Sequence, residues 1–258
     1  MGPGAEPQSW ASPPTPLVLG PGELHVWRVV LAVEAVAARR LAEWLSPDER
    51  ERAARFAFAG DRERFVVARG ALRALLGAYL GLPPAALRFA YSRHGKPSLD
   101  GPAAPLAFNL AHAGELALVV VARGRRVGVD VERVRDDFAY APLLPDIFSP
   151  RERRAIAELP EERRRRAFFE GWARKEAYLK ARGDGLSVPP SQVEVAMAPG
   201  ERAPLRLPPD DAGGPWALAP LDAGDGYAAA VVVEGEPALL RLFAAPPLPD
   251  AGGELPSP

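Results

Sequence analysis

Two segments carry acidic residues at spacings that can do chemistry. In Val127-Gly-Val-Asp-Val-Glu, side chains two apart on a strand share a face about 7 Å apart. Asp130 and Glu132 therefore point the same way, while Val127, Val129 and Val131 point into a core. Gly128 stands on the carboxylate face and leaves room for a ligand to approach the backbone. An outward Asp-x-Glu is also ordinary on a solvated edge strand, so this pair alone does not define a site. In the segment Phe168-Phe-Glu-Gly-Trp-Ala-Arg-Lys-Glu-Ala-Tyr-Leu-Lys, residues Trp172, Glu176 and Lys180 stand at i, i+4 and i+8 and form one helical stripe. The plain alternatives are a core tryptophan and an i,i+4 ion pair. A third carboxylate beside Asp130 and Glu132 makes an all-oxygen set suited to Mg²⁺, which takes few protein ligands together with phosphate oxygens and water.

Two further segments present cations. Arg93-His94-Gly95-Lys96-Pro97 reads as a tight turn offering a lysine, and Phe108-Asn109-Leu110-Ala111-His112 ends a strand with an imidazole at a hairpin. Each is weak alone, since a Gly-Lys-Pro is often only a turn and a hairpin histidine is often structural. Of the 32 basic residues, however, only Lys96, Lys175 and Lys180 are lysine. In so arginine-biased a chain the retained lysines are suspects, because a compact ammonium and a planar guanidinium are not interchangeable where a point charge must reach a phosphate oxygen.

Composition removes whole classes of chemistry. Without cysteine there is no disulfide, thiolate metal site or cysteine nucleophile, and three histidines, His25, His94 and His112, leave no His-rich metal site. A net charge of -1 argues against a general nucleic-acid binder. Residues 151–182 nevertheless hold eleven basic and six acidic side chains, which predicts a basic face. The amino terminus has no basic, apolar leader pattern and the longest apolar run, residues 116–122, is too short to cross a bilayer. The expectation is a soluble cytoplasmic protein that engages neither membrane nor nucleic acid.

Patterning supplies the elements that must position these residues. Alternation over residues 24–31 predicts a strand, and helical spacing predicts helices at 33–44, after Ser46-Pro47, and at 61–82. A short strand follows at 87–91. Residues 105–112, 116–122 and 127–132 read as a three-stranded antiparallel meander. Ser149-Pro150 opens a helix through residue 158, a long helix covers 161–182, and strands are expected at 192–197, 216–221, 227–234 and 239–243. Helices before strands, twice, predict an α+β fold of two pseudo-symmetric half-domains, 22–126 and 127–245, each an antiparallel sheet packed with helices around a cleft. The Pro/Gly-rich ends, 1–21 and 246–258, are expected to be disordered.

The ordered set G-K-P, F-N-x-x-H, G-V-D-V-E and W-x-x-K-E-A-x-x-K resembles the 4′-phosphopantetheinyl transferases of the larger, single-chain class, over roughly residues 24–243. The resemblance implies coenzyme A bound in the cleft between the halves, with Mg²⁺ on its pyrophosphate. Asp130, Glu132 and Glu176 look like the metal carboxylates and Lys180 like the lysine near the scissile phosphate. Lys96 and His112 look like contacts to the adenosine phosphate, and Arg52 and Arg64 fall in a region similar to the family's other coenzyme-binding positions. Phe148-Ser-Pro-Arg-Glu152 is similar to a family segment whose glutamate serves as a base. Ala111 and Ala113 flank His112 where serine or threonine is frequent, and Glu49 stands where a basic residue is frequent. The implied reaction is transfer of 4′-phosphopantetheine to a serine of an acyl or peptidyl carrier protein, by a monomer. The alternatives are a non-catalytic coenzyme-binding module and a metal-dependent pyrophosphate hydrolase, the latter without a glutamate-rich helix to support it.

Overall fold

The computed structural model describes residues 8–101, 106–183, 188–197 and 214–246. The first strand, β1 (Glu23–Val30), is followed by α1 (Ala35–Glu43), α2 (Pro47–Ala54) and α3 (Ala59–Leu80). A small antiparallel pair, β2 (Phe89–Tyr91) and β3 (Pro97–Leu99), precedes the hairpin of β4 (Leu106–Ala113) and β5 (Leu116–Arg123). Next come β6 (Val127–Arg133), α4 (Leu144–Ile147), α5 (Pro150–Glu158) and α6 (Glu161–Arg182), then β7 (Trp216–Leu221), β8 (Tyr227–Glu234) and β9 (Leu239–Ala244). The α+β class is as expected.

The strands form a four-stranded sheet in the order β4-β5-β1-β9 and a three-stranded sheet in the order β6-β8-β7. Apolar side chains divide them into layers. Val67, Ala71, Leu72 and Leu75 of α3 pack on Trp27, Val29, Val119 and Val121, which form one face of the first sheet. The other face, with Val26, Leu118 and Val120, packs on Val127, Val129, Val131 and Val231 of the second sheet. Ala177, Tyr178 and Ala181 of α6 then cover Ala230 and Val232 on the outside of the second sheet. The order is helix, sheet, sheet, helix, so β5 is covered on both faces and reads as an apolar run, whereas β6 alternates valines toward the first sheet with Gly128, Asp130 and Glu132 toward α6.

Several expectations are corrected. Strand β6 does not continue a meander: it pairs with β8, because β5 already has β4 on one edge and β1 on the other. Residues 192–197 form no strand; a 3₁₀ turn at Pro190–Gln192 leads into a segment whose Val195 N–H donates to the Glu152 carboxylate at 2.8 Å instead of to a neighbouring strand. Residues 8–21, expected to be disordered, lie on the sheets: Trp10 Nε1–H donates to the Asp222 carbonyl at 2.7 Å, Ala11 bridges Phe243, and Leu19 is buried. Residues 1–7 and 247–258, also expected to be disordered, lie outside the described residues. Strand β9, placed by the division at residue 126 in the second half, runs parallel to β1 and completes the first sheet.

Gly128 has a different use from the one its sequence position suggests. A Cβ there would stand 2.1 Å from the Ala177 carbonyl oxygen and 2.4 Å from the Ala181 nitrogen, so the space is filled by the backbone of α6. The missing side chain lets the last turns of α6 lie against β6. That contact presents the face of β6 carrying Asp130 and Glu132 to the stripe of α6 carrying Trp172, Glu176 and Lys180.

Candidate active site

Strand β6 and helix α6 meet as a ladder of side-chain pairs. Lys180 Nζ stands 2.5 Å from Asp130 Oδ1, and Trp172 Nε1–H donates to Glu132 Oε1 at 2.8 Å. Trp172 also stacks on Phe168, so it is at once the edge of a core cluster and the anchor of a carboxylate. Asp130 is only 2% exposed, and its second oxygen, Oδ2, is buried with no hydrogen-bond partner.

The electrostatics follow from three carboxylates sharing little solvent. Burial, then the charge of Asp130, pushes the Glu132 carboxyl up to about 7, against the pull of the Trp172 hydrogen bond. Burial also raises Glu176, with Lys180 opposing it and Asp130 adding to it. Asp130 is raised by burial in spite of Lys180. Burial works against the Lys180 ammonium, but Asp130, Glu176 and Glu132 outweigh it and hold its proton more tightly than usual.

A cavity of about 310 Å³ opens beside this ladder. Glu176 and Lys180 line it from α6, Arg52 from α2, Phe65 and Arg69 from α3, Asn109 and His112 from β4, and His94 to Lys96 from the turn between β2 and β3. Asp130 and Glu132 do not line it; Asp130 meets it through Lys180. Six of the lining side chains are cationic or can become so, against one carboxylate, which suits a polyanionic ligand. Among the described residues no three His, Asp or Glu side chains are arranged to hold a metal ion as they stand. Their chemistry nevertheless fits a hard divalent cation: an all-oxygen set, proton affinities raised by burial and mutual repulsion, and one buried carboxylate oxygen with nothing to satisfy it.

The remaining expected site residues divide. His112 is exposed at the rim of the cavity, and partial desolvation followed by the charges of Lys180 and Arg64 lowers its pKa. Arg52 lines the cavity with its guanidinium 5.4 Å from the Phe65 ring centre. Arg64 is not among the lining residues and is engaged by Asp61 at 2.7 Å and Glu115 at 3.4 Å. Lys96 lines the cavity, but its ammonium donates to the carbonyls of Val127, Lys180 and Ala181, at 3.1, 2.5 and 3.1 Å. It thereby caps the carboxyl end of α6, which stops at Gly183 in a left-handed conformation, φ 81°.

Glu152, expected as a base, stands elsewhere. It is 3% exposed, and its oxygens accept from Ser149 N–H at 2.8 Å, Val195 N–H at 2.8 Å and the Lys175 ammonium at 2.7 Å. Its lone pairs are spent on the capping box of α5 and on a buried ion pair, which leaves it no role at the cavity. Lys175 is fully buried and also donates to the carbonyls of Pro190 and Val193. This pair locks α5, α6 and the 190–195 segment together. Lys175→Met should therefore cost about 3–5 kcal/mol of stability in urea unfolding, because it strands a buried carboxylate, and Glu152→Gln in the same chain should recover part of the loss.

Sequence reasoning named Asn109 only within the F-N-x-x-H motif, without a role, and missed Arg69. Asn109 Oδ1 accepts from Val129 N–H at 3.0 Å and so joins β4 of one sheet to β6 of the other at the cavity's edge. Arg69 lies on the buried side of α3, among the apolar residues that pack on the first sheet. A basic residue recurring there at i and i+4, Arg69 and Arg73, inside an otherwise apolar helical face was the signal available.

Two family descriptions match adjoining parts of the chain: "4'-phosphopantetheinyl transferase, N-terminal" over residues 35–124 and "4'-phosphopantetheinyl transferase superfamily" over residues 126–232. The chain is 40% identical to the 4'-phosphopantetheinyl transferase HetI of Nostoc sp. over 229 residues, 88% of this chain and 94% of that protein. It is 31% identical to the 4'-phosphopantetheinyl transferase psf-1 of Bacillus pumilus, covering 68% and 75%, and 27% identical to a 4'-phosphopantetheinyl transferase of Bacillus subtilis, covering 74% and 83%. With a carboxylate ladder and a cationic cavity at the junction of the two matched regions, the chain belongs to the 4′-phosphopantetheinyl transferase superfamily.

Proposed function

We propose that this protein transfers the 4′-phosphopantetheine group of coenzyme A to a serine hydroxyl of a carrier protein and releases 3′,5′-ADP. The observation that carries the reading is the cationic cavity lined by Glu176 and Lys180, with Asp130 held behind Lys180 at 2.5 Å. Asp130, Glu132 and Glu176 would hold Mg²⁺, which supplies neutralisation of the diphosphate charge. The serine oxygen forms the new bond to the pantetheine-side phosphorus, the bond from that phosphorus to the bridging oxygen breaks, and the electron pair leaves on 3′,5′-ADP. The serine proton passes to water or to the departing phosphate. Phosphoryl transfer of this kind asks mainly for positioning and charge stabilisation. Lys180 suits charge stabilisation, since its proton is held tightly by Asp130 and a phosphate leaving group needs no proton at neutral pH.

The exposed Arg151, Arg154, Arg163 and Arg166, at the starts of α5 and α6, suit an acidic carrier helix, with an attraction that salt weakens. Among the described residues no helix is long and apolar enough to cross a membrane, and the protein is proposed to work in the cytoplasm as a monomer. Incubation with coenzyme A, Mg²⁺ and an apo carrier protein should add one phosphopantetheine to the carrier by intact mass. Cleavage of coenzyme A without carrier modification would favour the hydrolase, and binding without either would favour the non-catalytic module.

A further inference from the structure

Two sheet edges meet beside the cavity with no ladder between them. Strand β4 ends the first sheet and β6 ends the second, in the orders β4-β5-β1-β9 and β6-β8-β7. Glu234 N–H donates to the Arg126 carbonyl at 2.9 Å and Val134 N–H to the Gly226 carbonyl at 2.8 Å, one at each end of the β6–β8 ladder. The backbone groups of even-numbered residues therefore face β8, and those of Val127 and Val129 face the open edge. Side chains from outside the second sheet take them up. The Lys96 ammonium donates to the Val127 carbonyl at 3.1 Å, and Asn109 Oδ1 accepts from Val129 N–H at 3.0 Å.

The Asn109 bond bears on the site because of where it falls along β6. Val129 is fully buried and lies between Gly128, which packs on the backbone of α6, and Asp130, which meets Lys180. Asn109 is itself buried and lines the cavity from β4, the strand that also carries His112. One side-chain carbonyl thus ties the coenzyme-facing wall to the peptide unit next to Asp130. Without that acceptor a buried N–H has no partner, and β6 must shift toward another acceptor or admit water. Hydrogen bonds that hold ligand-bearing groups govern metal affinity although they touch neither metal nor substrate.

We propose that Asn109 is a positioning residue: its side-chain carbonyl stands in for a neighbouring strand on β6 and so sets Asp130 and Glu132 against the coenzyme wall. This rests on the coenzyme and Mg²⁺ reading above. The test compares Asn109→Leu, which removes the acceptor at similar volume, with Asn109→Asp, which keeps the acceptor and adds a charge. Asn109→Leu should lower kcat about tenfold or more and raise the Mg²⁺ needed for half-maximal rate by a similar factor, while its metal-free Kd for coenzyme A, by calorimetry, stays within about twofold. The rise in melting temperature that Mg²⁺ gives over coenzyme A alone should shrink in this variant. Asn109→Asp should keep that rise and keep kcat within about threefold of wild type, its cost falling on coenzyme affinity because a carboxylate on the cavity wall repels a polyanion. A leucine variant that weakens metal-free coenzyme binding about tenfold, as a lost ligand contact would, or that leaves kcat and the Mg²⁺ requirement within about twofold, overturns the assignment. So does an aspartate variant that loses kcat as the leucine variant does. If circular dichroism shows the leucine variant unfolded, the aspartate variant decides, and a kcat loss beyond about threefold at saturating coenzyme A and Mg²⁺ overturns the assignment. These failures leave the coenzyme reading standing, whereas a wild-type protein that neither binds coenzyme A nor modifies a carrier overturns both.

Discussion

Asp130→Asn should lower carrier modification by about 10³-fold or more while the protein stays folded, a loss of roughly 4 kcal/mol of transition-state stabilisation. The carboxylate is 2% exposed, one oxygen meets Lys180 at 2.5 Å, and the other is buried without a partner. Asparagine has nearly the same shape and can still accept from the Lys180 ammonium, so packing is kept while the charge that would hold a divalent cation is lost. Two readouts separate the metal role from a structural one. In the wild type, Mg²⁺ added with coenzyme A should raise the melting temperature above that with coenzyme A alone, since a ligand that binds only the folded state stabilises it. In Asp130→Asn the Mg²⁺ increment should vanish. A folded variant that keeps turnover within about tenfold of wild type across a Mg²⁺ titration would remove Asp130 from the metal site.

Lys180→Arg should lower kcat by about 30- to 100-fold at saturating coenzyme A and Mg²⁺, although the charge is conserved. The ammonium is a point charge on a one-third-exposed side chain, directed at a buried carboxylate. A guanidinium is wider and planar, and cannot take that position without displacing either Asp130 or the ligand. Lys180→Met should lose more, because it also leaves Asp130 in the interior with neither oxygen satisfied. Rapid-quench measurement of a single turnover isolates the chemical step from carrier release. An arginine variant within about twofold of wild type in that step would reduce Lys180 to a partner of Asp130.

How much of this was legible in the sequence differs from residue to residue. Local periodicity placed Asp130 and Glu132 on one strand face and Trp172, Glu176 and Lys180 on one helix stripe, because strand and helix geometry determine which side chains share a face whatever surrounds them. Caps at Ser46 and Ser149 were likewise local, each closed by a glutamate three residues on. The motif set also identified the family. That β6 leaves the first sheet and β9 returns to it was not legible, since strand partners are chosen by which edges remain free after others have paired. Gly128 shows the same limit: a glycine beside two carboxylates reads equally as space for a ligand or for a helix, and only the approach of Ala177 and Ala181 decides it.

The charged residues divide on the same line. The sequence alone determined that Lys96, Lys175 and Lys180 were worth suspicion, since composition bias is a one-dimensional property. It did not determine their separate roles. Tertiary structure turned Lys175 inward to Glu152, gave Lys96 to the end of α6, and left Lys180 facing Asp130. It also set Glu49 between Arg73, at 2.7 Å, and Arg69, at 3.4 Å, on the buried side of α3. Residue type and spacing say which charges a chain carries and along which face. Whether a charge is spent on the fold or kept for a ligand depends on which donors and acceptors, distant in sequence, are brought within about 3 Å of it, and only the folded chain sets that.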